Sequence, residues 1–178
     1  VALISAEPVL HAIMTNLLND LIWPDLTGIP SVREAMIRLV PLETEKTHVI
    51  EGLEVMAVPV GHTVFALGFI ITEGNAGFAY TGDTDGTGIF WESAKREERL
   101  RFIIAEVSFP ERRRDLALAS GHMTLSMLTD QLDRHELASM PVYITHIKPV
   151  FRDEIEKEIA GCSGYNLTVL RQDNRFVL

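Results

Sequence analysis

A single cysteine, Cys162, is all the thiol chemistry this 178-residue chain carries. It can form neither an intramolecular disulfide nor a thiolate metal cluster, and it fits a reducing compartment. Positive charge is also scarce: 16 Lys and Arg stand against 25 Asp and Glu, for a net charge of −9. A broad electrostatic grip on nucleic acid needs a basic surface, so that class of partner is not expected. A small phosphorylated substrate stays open, because bound cations would supply positive charge locally. No apolar run approaches the roughly 18–20 residues of a membrane span. The first residues lack the pattern of a secretory signal. A cytoplasmic protein without a membrane partner is therefore expected. There is no repeat, low-complexity tract or linker. What is present is 47% hydrophobic and 23% charged residues, enough for one buried core.

Hydrophobic patterning divides the chain into two regimes. Val1–Ala6 reads as a short strand, and a helix starts at Glu7-Pro8 and runs to about Asn19. Ile22–Asp25 and Thr27–Pro30 read as loop. From Met36 to Ile71 the pattern is β, with Thr47–Ile50 and Leu53–Val60 flanking the turn Glu51-Gly52. Thr63–Thr72 and Phe78–Thr81 are further strands. The second half alternates: helix Ile89–Leu100, strand Phe102–Val107, helix Thr124–His135, strand Val142–Thr145, helix Phe151–Ala160. Leu167–Leu170 and Arg175–Leu178 are expected to pair as a hairpin around Asp173-Asn174. A β-rich run followed by alternation predicts an α/β architecture of two packed sheets with outer helices.

Three of these strands end on a residue able to hold a metal. They are Val58-Pro-Val-Gly-His62, Phe78-Ala-Tyr-Thr-Gly-Asp83 and Val142-Tyr-Ile-Thr-His146. Strand ends on a rigid sheet are where α/β proteins collect functional side chains. Two neutral imidazoles and one carboxylate suit zinc or a similar divalent ion. Taken singly, His62 reads as a satisfied histidine, Asp83 as a turn residue and His146 as a cap. The charge run Glu111–Arg114 reads as solvated surface, Trp23 and Trp91 as packing residues, and Asp85 as part of a turn. Lys148, next to His146 in sequence, is a lesser candidate for contact with a phosphate.

The order of these segments resembles the later metal motifs of the metallo-β-lactamase fold hydrolases. The residues are His62 with Ala66-Leu-Gly-Phe69, then Tyr80-Thr-Gly-Asp-Thr84, then Thr145-His146. Two further segments, Ser108-Phe-Pro110 and Ser120-Gly-His-Met-Thr124, resemble the branch of class II 3′,5′-cyclic-nucleotide phosphodiesterases, and more distantly RNase Z. The resemblance implies an αββα sandwich. It also implies two divalent metal ions, zinc first with manganese or magnesium as alternatives, on His62, Asp83 and His146, with Asp83 between them. The family's His-x-His-x-Asp-His motif is not found; His11 and His48 do not lie in that pattern. The expectation is therefore a single metallo-hydrolase domain over 1–178, amino-terminally incomplete and lacking its first strands.

The implied activity is hydrolysis of cAMP or cGMP to the 5′-nucleotide by a metal-bound hydroxide. His122 would protonate the leaving oxygen from outside the ligand group, with Glu106 behind it fixing its tautomer. Ser120 and Thr124 would bind substrate. The fragment alone is expected to bind metal weakly and to be inactive. The alternatives are an RNase Z-like tRNA 3′-processing endonuclease and a non-catalytic homologue with an incomplete metal site. A small cyclic nucleotide is the expected partner, with a homodimer as the further possibility.

Overall fold

The computed structural model describes residues 1–178. The chain divides into two compact units, Val1–Lys46 and Thr47–Leu178. In the first, β1 (Ala2–Ser5) pairs in parallel with β2 (Arg38–Pro41), joined through α1 (Glu7–Asn16). Pro8 stands in the first turn of α1, where its missing N–H costs nothing, and Leu10 is the helix's buried residue.

The second unit is one seven-stranded sheet whose strands lie side by side in chain order. They are β3 (Thr47–Ile50), β4 (Leu53–Val60), β5 (Ala66–Glu73), β6 (Ala76–Tyr80), β7 (Leu100–Glu106), β8 (Pro141–Thr145) and β9 (Asn166–Val169). β3 to β6 form an antiparallel meander, closed by tight turns at Glu51-Gly52 and Gly74-Asn75. β6 to β9 are parallel. Parallel neighbours need crossovers. These are α2 (Phe90–Arg96), α3 (Arg114–Ser120) with α4 (Leu125–Arg134), and α5 (Arg152–Gly161).

The core lies between one face of the sheet and the helices. Val58, Ile70, Ala79, Ile103, Ala105, Val142 and Ile144 from the strands meet Phe90 and Trp91 of α2, Leu128 and Leu132 of α4, and Ile155 of α5. Met127, Leu128 and Leu132 of α4 are buried on the predicted face. Trp91 is a core residue whose indole N–H donates to the Gly86 carbonyl at 3.1 Å. Trp23, by contrast, is exposed. Burial of such side chains contributes roughly 1.5–3 kcal/mol each. No helix is long and apolar enough to cross a membrane.

Three expectations change in detail. The Ile89–Leu100 helix is only Phe90–Arg96, because Leu100 already belongs to β7. The strand expected from Thr63 starts at Ala66; residues 61–65 form the loop that carries His62. The terminal hairpin does not form. β9 pairs in parallel with β8, and Arg175–Leu178 has no strand partner. Phe176 instead packs its ring on Phe102 at 4.7 Å and Tyr143 at 4.6 Å. That aromatic contact fixes the segment without backbone pairing.

Candidate metal centre

Strand direction builds the site. β4 is two antiparallel steps from β6, so β4, β6, β7 and β8 all run the same way. Their carboxyl ends meet at one edge of the sheet. His62 follows β4, Asp83 follows β6, Glu106 ends β7 and His146 follows β8.

One ligand atom each from His62, Asp83 and His122 lies within 4.8 Å of the others. His146 Nε2 lies 3.4 Å from Asp83 Oδ2. Asp83 is therefore the residue common to both sets. The rings of His122 and His146 stack at 5.2 Å, and His62 meets His122 edge-on at 5.0 Å. His122 stands inside the tightest group, where sequence reasoning put it outside with His146 within. His48 lies on β3 opposite Val55, away from this cluster.

The histidines are held in defined tautomers. His62 Nδ1 lies 2.7 Å from the Gly121 carbonyl, which can only accept, so Nδ1 carries the proton and Nε2 keeps its lone pair. His122 Nδ1 lies 2.7 Å from Glu106 Oε1. With a carboxylate on that side, Nε2 is again the free nitrogen. This is the arrangement in which outer hydrogen bonds orient imidazoles toward a cation.

Glu106 is fully buried and heavily braced. Besides His122, it accepts from the Thr84 N–H at 2.8 Å and from Ser108 Oγ at 2.6 Å. Ser108 Oγ also lies 3.1 Å from the His146 carbonyl. Thr81 Oγ1 accepts from the Glu106 N–H at 3.2 Å. Tyr80 stands next to this network. Burial first, then the Asp83 and Glu106 charges, hold its hydroxyl above the usual phenol range.

Two glycines make the loops possible. Gly121 ends α3 with φ +70°, a left-handed conformation that terminates helices. A Cβ there would stand 2.8 Å from His62 Nδ1. Gly61, just before His62, packs against Asp85 and Thr87, leaving no room for a side chain. Asp85 itself bonds the Thr87 N–H and hydroxyl, as a turn residue does.

Ser120 and Thr124 lie on either side of His122. The Ser120 hydroxyl donates to the Leu116 carbonyl of its own helix at 2.7 Å. Thr124 is buried at the amino end of α4, where Glu111 reaches over to accept from the Ser126 N–H at 2.7 Å. Burial alone would raise the Glu111 pKa, but the Ser126 backbone and hydroxyl bonds outweigh it and hold it below the ordinary carboxylate range. Of the supporting residues, the Gly121 carbonyl, Ser108 and its tie to His146 were not identified in the sequence. Only the Ser-Phe-Pro segment hinted at Ser108.

Comparison with solved structures assigns the fold to the metallo-β-lactamase type. Unliganded yeast PDE1 superposes with a TM-score of 0.77 at 19% identity, covering 94% of this chain and 56% of the yeast one. The metallo-β-lactamase fold protein YhfI from Bacillus subtilis gives 0.65 at 15% identity, covering 78% and 55%. Human tRNase Z, short form, gives 0.53 at 17% identity, covering 84% and 61%. The chain thus spans little more than half the length of these proteins. Sequence comparison finds no matching family model and no matching curated protein.

Proposed function

We propose that this protein is a metal-dependent hydrolase that cleaves 3′,5′-cyclic nucleotides to 5′-nucleotides. The observation that carries this reading is the buried Glu106–His122 pair set against the His62–Asp83 group, which supplies ligands and a proton donor in one place. The likeness to yeast PDE1, a class II cAMP phosphodiesterase, supports the choice of substrate. The Ser108-Phe-Pro110 and Ser120–Thr124 segments support it from the sequence side, and the net charge of −9 disfavours a tRNA substrate.

The donor set fits divalent ions. His62, an imidazole whose other nitrogen is tied down, the Asp83 carboxylate, and the His146 imidazole at 3.4 Å from that carboxylate match zinc chemistry, with manganese or magnesium as alternatives. His62, Asp83 and His146 would hold them. Bound there, such ions would offset the phosphate charge and lower the pKa of a water. The protein's own part is the proton. Glu106 holds the His122 ring so that Nε2 faces the substrate, and an imidazole can carry a proton at physiological pH. His122 gives it to the 3′ oxygen as the phosphorus–oxygen bond breaks.

The test is to assay the purified protein against cAMP, cGMP and a precursor tRNA, with and without added zinc or manganese, beside an Asp83→Asn variant. The expected result is metal-dependent 5′-nucleotide release that the variant lacks. Cleavage of the precursor tRNA instead would favour the endonuclease reading. Metal uptake without turnover of any substrate would favour a non-catalytic homologue.

A further inference from the structure

We infer that Lys148 is the anion-binding residue of this centre, the group that grips a phosphate oxygen beside the metal ligands. This rests on the metal-centre reading above. Lys148 Nζ lies 3.1 Å from His146 Nε2, and His146 Nε2 is itself 3.4 Å from Asp83 Oδ2. The ammonium thus points into the ligand group.

Its placement is set by the backbone. The Lys148 N–H donates to the Ser108 carbonyl at 3.4 Å, and its own carbonyl accepts from Phe151 at 2.9 Å. Pro149 follows it and starts a short 3-10 turn. The ammonium also lies 5.9 Å from the Phe109 ring centre, against the ring that flanks His122. A lysine held this way loses little freedom on gripping a ligand.

Charge gives the ligand class. Arg112, Arg114 and Arg152 face Glu154, Glu111 and Glu156 and are neutralised locally. Lys148 makes no ion pair with a carboxylate; a neutral imidazole nitrogen is its hydrogen-bond partner. A cation engages His146 through the same Nε2 lone pair that Lys148 now faces. Metal uptake would therefore release the ammonium, which would then be available to an anion held at the same ligand group. Phosphate, with several acceptor oxygens, can bridge an ion and an ammonium at once, and lysine binds phosphate as a point charge. A neutral amide or ester would gain nothing from that charge.

Inorganic phosphate is the probe, titrated into the zinc-loaded protein, with zinc affinity measured separately by chelator competition. The proteins are wild type, Lys148→Ala and Lys148→Arg. Lys148→Ala should bind phosphate about tenfold more weakly, as for a lost charge-assisted hydrogen bond, at undiminished zinc affinity. Lys148→Arg should recover most of the binding. The salt dependence of phosphate binding should flatten in the alanine variant. Unchanged phosphate affinity in Lys148→Ala would overturn the inference while leaving the metal reading intact. Weakened zinc binding in Lys148→Ala would overturn it too, making Lys148 a prop for the His146 loop. No zinc uptake by the wild type would bring down the metal reading, and this inference with it.

Discussion

His122 Nδ1 and Glu106 Oε1 are 2.7 Å apart, and the carboxylate is buried with two further donors, Thr84 N–H and Ser108 Oγ, fixed on it. A carboxylate braced on every side has little freedom to follow the ring, so the ring must follow the carboxylate. His122 is therefore aimed by β7, the strand that Glu106 ends.

Replacing His122 by alanine should lower turnover of cyclic nucleotide by roughly 10²–10⁴-fold, the range for a lost general acid. Zinc content should hold. A nitrophenyl phosphodiester, whose leaving group departs without a proton, should lose much less. Parallel steady-state assays on both substrates decide it. An equal loss on both would make His122 a phosphate-binding group. Loss of zinc would make it a ligand, a role its place inside the tightest group also permits.

Gly121→Ala should weaken zinc binding by about tenfold or more while leaving the fold intact. The new Cβ would stand 2.8 Å from His62 Nδ1 at a backbone φ of +70°, so both the turn and the imidazole must shift. Chelator competition reads the affinity, and far-ultraviolet circular dichroism reads the fold. Zinc affinity equal to wild type would show that the Gly121 carbonyl does not orient His62.

Much of this site was legible because its ligands are local punctuation. Apolar strands that break at a glycine or threonine and then present His or Asp are visible one segment at a time, as at His62, Asp83 and His146. That their ends share one edge follows from strand direction, which a meander followed by crossovers fixes. Contacts between distant segments were not legible. His62 is anchored by Gly121, 59 residues away, and periodicity carries no trace of that bond. That His122 lies near the ligands with Glu106 behind it follows from the resemblance; its place inside the tightest group with His62 and Asp83 does not. The carboxyl-terminal hairpin was misjudged for a related reason: Asp173-Asn174 has turn chemistry, but β9 had a stronger partner in β8.

Glu158→Gln should stabilise the protein at neutral pH by about 1 kcal/mol, the low end of the cost of an unsatisfied buried polar atom. One carboxylate oxygen of Glu158 is buried without a partner, while the other accepts from the Glu111 N–H at 3.1 Å. Burial, which outweighs that bond, raises the Glu158 pKa above its ordinary 4.5, with the nearby Glu111 and Glu154 charges adding to it. A raised carboxylate pKa favours the folded state when protonated, and that contribution is lost as pH rises through the folded value. The advantage of the glutamine should therefore close as pH falls toward 4.5 and below. Thermal melts of both proteins across this range check it; a gap independent of pH would point to packing instead.

The edge of the sheet opposite the centre holds the reversals Glu51-Gly52 and Gly74-Asn75, and a Cβ at either glycine would meet nothing within 4 Å. These two reversals and the chemistry thus occupy opposite rims of the same seven strands. Apart from these two glycines, whose positive φ values of +89° and +57° suit glycine best, the far rim has room to lengthen or to accept a grafted peptide or a fluorophore. A reporter placed there would travel with the rigid sheet without entering the ligand loops, and new specificities could evolve on one rim while the other absorbs neutral change.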